Sequence, residues 1–91
     1  LQLDLAHKTA YRQSLPLKLS PIGWKITEVL MRASPNLVSR AELMQAVWGD
    51  EQPDSNSLKV HMFNLRKQID SPELPPLIHT ITGHGFVLKA E

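Results

Sequence analysis

Between Ser55 and Ile69 the chain carries Lys59, His61, Arg66 and Lys67 and no acidic residue. In the same stretch Leu58, Met62, Leu65 and Ile69 recur at spacings of four, three and four, which places them on one face of a helix. At about 100° per residue the opposite face shows Asn56, Val60, Phe63 and Lys67, flanked by Lys59 and Asn64. That outer face is unusual both for solvent and for a core. A solvent-facing stripe rarely needs Val60 and Phe63, and a core-facing one would not carry Asn56 and Lys67. It does match the major groove of duplex DNA. There asparagine bonds adenine edges, lysine meets a guanine or a phosphate, and apolar side chains pack on thymine methyls. An ordinary solvated basic helix face is the plainer alternative, and charge by itself favours it.

The whole-chain balance speaks against a nucleic-acid partner at first sight, because Lys and Arg exceed Asp and Glu by only one. The acids are segregated, however. Asp50, Glu51 and Asp54 precede the basic stretch, and Asp70 and Glu73 follow it. Binding depends on the local field, so the sum is not decisive.

Other chemistry has little support. The absence of cysteine excludes disulfides, thiolate metal sites and cysteine nucleophiles. His61, His79 and His84 lie on three different predicted elements without carboxylates at ligand spacing, so no metal is expected. Gly83-His84-Gly85 precedes no helix and is not a phosphate loop. No nucleophile–base set stands out, so no catalytic residue and no cofactor is expected. No apolar run nears the roughly 20 residues of a membrane span, and no targeting segment is visible. The expected location is the cytoplasm.

The surrounding elements must position the basic stretch. At 91 residues the chain suits one domain, and its start at Leu1 suggests excision from a longer protein. Leu1, Leu3 and Leu5, Thr9 to Tyr11, and Leu15, Leu17 and Leu19 alternate as three short antiparallel strands. Ser20-Pro21 then starts a helix whose stripe includes Ile26, Val29 and Leu30, with Leu19 and Trp24 at staple positions. Gly23 weakens its first turn, and Ser34-Pro35-Asn36 ends it. Leu37-Val38 suits a very short strand. Ser39-Arg40-Ala41-Glu42 is a capping box for a second helix that buries Leu43, Met44 and Val47 and stops at Gly49. Asp54 caps the third helix, which ends near Asp70. The proline-rich segment from Ser71 to Pro76 is a stiff connector. Strands over 77–82 and 86–89 with a Gly83-His84-Gly85 tip close the chain as a hairpin. The fold class is α+β: a winged helix-turn-helix with an N-terminal antiparallel sheet (1–19), a helical core (20–70) and a C-terminal β-hairpin wing (77–89).

Several stretches together resemble the OmpR/PhoB-type effector domain of bacterial two-component response regulators. They are Leu19-Ser20-Pro21, Glu28-Val29-Leu30, Val38 to Leu43, Val47-Trp48-Gly49, Val60-His61-Met62, Leu65-Arg66-Lys67 and His79 to Phe86. The resemblance covers nearly the whole chain. It implies a DNA-binding transcription regulator that forms a tandem dimer on direct-repeat sites after phosphorylation of a receiver domain in the same full-length chain. It also implies that the Gly49–Asp54 loop can face RNA polymerase. Trp48, His61, Arg66 and Thr80 match family positions that contact or border the DNA backbone. Several positions depart from the pattern. Asn56 stands where Arg is usual, Lys59 where Asp is frequent, and Phe63 and Asn64 where basic residues are common. Thr82 replaces the wing arginine, and Phe86 replaces tyrosine.

The expected DNA-binding set is therefore Trp48, Asn56, Ser57, Lys59, Val60, His61, Phe63, Asn64, Arg66, Lys67, Thr80, Thr82 and His84. Some members have structural alternatives: Trp48 as a core aromatic closing its helix, Arg66 as a brace against Asp70 or the hairpin. Two other functions fit the same pattern. One is a protein-interaction winged helix that uses Val60 and Phe63, and the other is a DNA-binding regulator without a receiver.

Overall fold

A computed structural model describes residues 1–51, 53–70 and 76–89. Strands β1 (Gln2–Asp4), β2 (Thr9–Arg12) and β3 (Leu15–Leu17) form an antiparallel meander in the order β1-β2-β3. Leu3 faces Ala10, and Ala10 faces Leu17, so the three share one side of the sheet. Ala10 is buried and Leu17 packs on the helical core. The leucine alternation overstates this buried face. Leu5 is 54% exposed and Leu15 67% exposed. Leu5 lies in the turn after β1, and Leu15 is the first residue of β3, next to the turn that joins it to β2.

Helix α1 (Pro21–Ala33) starts as its residues dictate. Ser20 Oγ accepts the Gly23 amide at 3.0 Å, and Pro21 fills the first helical position, where no N–H is needed. A Cβ at Gly23 would lie 3.1 Å from the capping Ser20 Oγ and at ordinary contact distance, 3.4 Å, from Leu65 Cδ1, so the tight neighbour of this glycine is the helix cap. At the other end Ser34 Oγ donates to the Leu88 carbonyl at 2.5 Å.

Helix α2 (Arg40–Trp48) opens on the expected capping box. Ser39 Oγ accepts the Glu42 amide at 3.1 Å, while the Ser39 amide donates to Glu42 Oε1 at 3.3 Å. It buries Leu43, Met44 and Val47 and ends at Gly49, whose φ of 62° is costly for other residues. Helix α3 (Ser55–Ile69) is capped by Asp54, which accepts the Ser57 amide at 3.1 Å. Leu58, Met62, Leu65 and Ile69 are buried against Ile26, Leu30 and Leu43, as the four-three-four spacing requires.

The hairpin pairs β4 (Ile78–Ile81) with β5 (Gly85–Leu88), Ile78 opposite Leu88 and Thr80 opposite Phe86. It is shorter than the expected 77–82 and 86–89 pairing. Thr82 belongs to the turn and Gly85 to the strand. The displacement has a cause in Val38, which exchanges two 2.8 Å backbone hydrogen bonds with Phe86. A Cβ on Gly85 would sit 2.2 Å from the Val38 carbonyl oxygen, so this glycine serves a close backbone approach as well as a φ of +152°. The connector expected from Ser71 to Pro76 lies outside the described residues apart from Pro76. No helix among the described residues is long and apolar enough to cross a membrane.

Candidate nucleic-acid interface

Helix α3 presents the outer face that its periodicity predicts. Asn56, Lys59, Val60, Phe63, Asn64 and Lys67 are all exposed. Val60 is 56% and Phe63 60% exposed, a large apolar area for a helix that already buries a full stripe. Lys67 Nζ sits 4.7 Å from the centre of the Phe63 ring, a cation–π pair in full view of solvent. Ser57 is half-buried and its hydroxyl donates to Asp54 Oδ1 at 3.3 Å, so it serves the helix cap first.

The two edges of this face meet different elements. On one side Lys59, Phe63 and Arg66 border a cleft of about 270 Å³ closed by Thr80 and Phe86 of the hairpin and by Arg40 of α2. Arg66 Nη2 donates to Thr80 Oγ1, which ties the helix to β4. The expected choice of brace is thereby resolved: Arg66 holds the hairpin, whereas Asp70 is engaged by Arg12 of β2. No acidic residue lines the cleft among the described residues. On the other side His61 and Asn64 border a groove with Lys18, Leu19 and Ser20 at the start of α1. Trp48 is half-buried, and its ring lies 5.9 Å from that of His61, tilted by 47°. The packing alternative is thus met in part, and the rest of the indole stays open to solvent. Thr82, Gly83 and His84 form the exposed hairpin tip, closed by the His84 amide donating to the Ile81 carbonyl at 2.9 Å.

The structure brings Lys59, Phe63, Arg66 and Thr80 together around one cleft. Trp48, His61 and Asn64 gather on the far edge of α3, and Thr82 and His84 stand apart at the tip. Arg40 is a further cation at this face, outside the expected set and inconspicuous in sequence inside the capping box. It borders both the α3 cleft and a second one of about 300 Å³ beneath the hairpin tip. A signal existed. Arg40 is the first residue of α2, where the helix dipole disfavours a positive charge, so its presence asks for another purpose. No group of three His, Asp or Glu side chains among the described residues is arranged to hold a metal ion.

Residues 14–88 match the model of the family described as "Transcriptional regulatory protein, C terminal". The chain belongs to this family. It is 31% identical to the phosphate regulon transcriptional regulatory protein PhoB of Rhizobium meliloti (strain 1021), over 99% of this chain and 40% of that protein. It therefore spans about two fifths of the curated relative. Among solved structures, the C-terminal domain of the nisin resistance regulator NsrR matches with a TM-score of 0.78 and 32% identity, over 91% of this chain and 86% of that one. The DNA-binding domain of Klebsiella pneumoniae RstA, solved in complex with the RstA box, matches with a TM-score of 0.83 over 96% of this chain and 88% of that one. Its 20% identity speaks to the fold alone. The OmpR/PhoB-type resemblance and the winged-helix architecture are both upheld. Transcriptional regulation is the function class that the family's description carries.

Proposed function

We propose that residues 1–91 form one unit that binds duplex DNA sequence-specifically, with α3 in the major groove and the hairpin along the adjacent narrow groove. One observation carries this reading. An exposed face that mixes amides, apolar groups and lysine runs beside an acid-free cleft bordered by Arg40, Lys59 and Arg66. Asn56 and Asn64 read base edges, Val60 and Phe63 pack on apolar groups in the groove, and Lys59 and Lys67 meet phosphate or guanine. Trp48, Ser57, His61, Arg66 and Thr80 hold the backbone or the elements that reach it. Thr82 and His84 follow the narrow groove. The role is recognition, without catalysis or cofactor.

In the full-length protein the domain acts in the cytoplasm as the output of a phosphorelay receiver. It pairs as a tandem dimer on direct repeats and offers the Gly49–Asp54 loop to RNA polymerase. Several family cations are replaced, so a single domain binds weakly and pairing supplies much of the affinity.

Selection of duplexes from a random library tests the reading. Enrichment of a motif repeated in one orientation is the expected result, and recovery of no motif overturns it. The exposure of Val60 and Phe63 also favours a second reading, a protein partner on the same face. Under that reading duplex DNA shifts no defined surface in an NMR titration.

A further inference from the structure

We propose that Phe63, held by Lys67, is a reader of the thymine 5-methyl group. This rests on α3 entering the major groove. Phe63 projects from the outer face with 60% of its surface open, beside Val60 at 56%. A phenyl ring offers no hydrogen bond to a phosphate or a base edge. The apolar group that B-DNA displays in its major groove is the thymine methyl. Chemistry therefore narrows what this side chain can read.

Lys67 makes the ring a defined probe. Its ammonium, 4.7 Å from the ring centre, covers one side of the phenyl group and lies one helical turn further along. The pair restricts both side chains before DNA arrives, which lowers the ordering cost of contact. It also sets a positive charge beside the apolar contact, in reach of the acceptors next to the thymine. Lys59 and Arg66 border the ring on the cleft side, so an apolar spot is framed by cations. A duplex meets both demands: apolar methyls set between lines of phosphate.

The test uses a duplex recovered by selection, with each thymine replaced in turn by deoxyuridine, which removes the methyl group alone. The 91-residue chain is compared with Phe63→Ala, Phe63→Leu and Lys67→Met. Both positions are exposed, and unchanged melting temperatures establish that the variants fold. At one thymine in each half-site, deoxyuridine should weaken the unaltered protein about fourfold, the scale of one buried methyl. Phe63→Ala should bind thymine and deoxyuridine alike. Phe63→Leu should keep part of the preference. Lys67→Met should keep its sign, with a smaller ratio and a shallower salt dependence. A deoxyuridine penalty that persists undiminished in Phe63→Ala overturns the inference, as does a duplex in which no thymine matters. If Phe63→Ala reduces only the cooperativity of pairing, the ring belongs to a protein contact and the inference fails. A selection that yields no motif defeats the DNA reading itself; a motif insensitive to deoxyuridine defeats only this inference.

Discussion

The Arg12 guanidinium donates to the backbone carbonyl of Ile69, 2.5 Å away and 57 residues further along the chain. The same Nη1 lies 3.4 Å from Asp70 Oδ1, and that oxygen accepts the Leu77 amide at 2.9 Å. One buried cation thus joins β2, the last carbonyls of α3 and the start of the hairpin. A positive charge at a helix C-terminus also suits the helix dipole.

Replacing Arg12 with alanine should cost about 3 kcal/mol, because a carboxylate is left in a partly buried place without its cation. Urea denaturation measures the loss. Amide exchange should quicken first at the C-terminal turn of α3. A loss below about 1 kcal/mol would mean that water replaces the guanidinium without penalty.

Two glycines of the hairpin separate close approach from backbone angle. In Gly83→Ala a Cβ meets nothing within 4 Å, so only the φ of +80° opposes it, about 1 kcal/mol. In Gly85→Ala the Cβ would enter the Val38 carbonyl, and a loss of about 3 kcal/mol or more is expected. On a domain of this size each 1 kcal/mol lowers the melting temperature by about 4–8 °C. Equal shifts for the two variants would refute the close-approach argument.

Neutralising Lys59 or Lys67 should weaken every duplex and reduce the slope of log affinity against log salt by about 0.9 per cation. Affinities across a salt series on selected and scrambled duplexes provide the check. An unchanged slope would remove that lysine from the phosphate contacts.

Acid should loosen the β1–β2 turn. The Asp4 carboxylate accepts from His7, through the ring at 2.8 Å and the backbone amide at 3.2 Å, and these bonds hold its pKa below the ordinary value. A carboxyl with a lowered folded pKa stabilises above its unfolded pKa, and that contribution disappears as pH falls through the folded one. In His7→Ala the NMR titration midpoint of Asp4 should rise toward the ordinary value. A midpoint that does not move would show that the ring plays no part.

Local rules made much of the molecule readable from its sequence. Ser20, Ser39 and Asp54 cap their helices through residues three positions away, and the α3 stripe is a matter of spacing, so a short window contains the cause. The outer face of α3 follows by subtraction. Long-range partners were hidden. Arg12 follows the expected strand from Thr9 to Tyr11, and nothing near it in sequence names Ile69 or Asp70. Arg40 is obscured by the capping box around it. Leu5 and Leu15 illustrate the opposite error, since parity assigns a side of the sheet but not what lies over it.

The Val38 bridge has a consequence for life in a crowded solution. A two-stranded hairpin normally offers two free edges, each able to recruit a strand from another molecule. Here β4 occupies one side of β5, and the paired amide and carbonyl of Val38 occupy the other at Phe86. Every residue of β5 is also buried. The more apolar strand is thereby withheld from edge-to-edge pairing, and the outward strand is β4, with exposed Thr80 and Ile81 and half-buried His79. The contact that seats the wing also closes the outer edge of its more apolar strand against a foreign one.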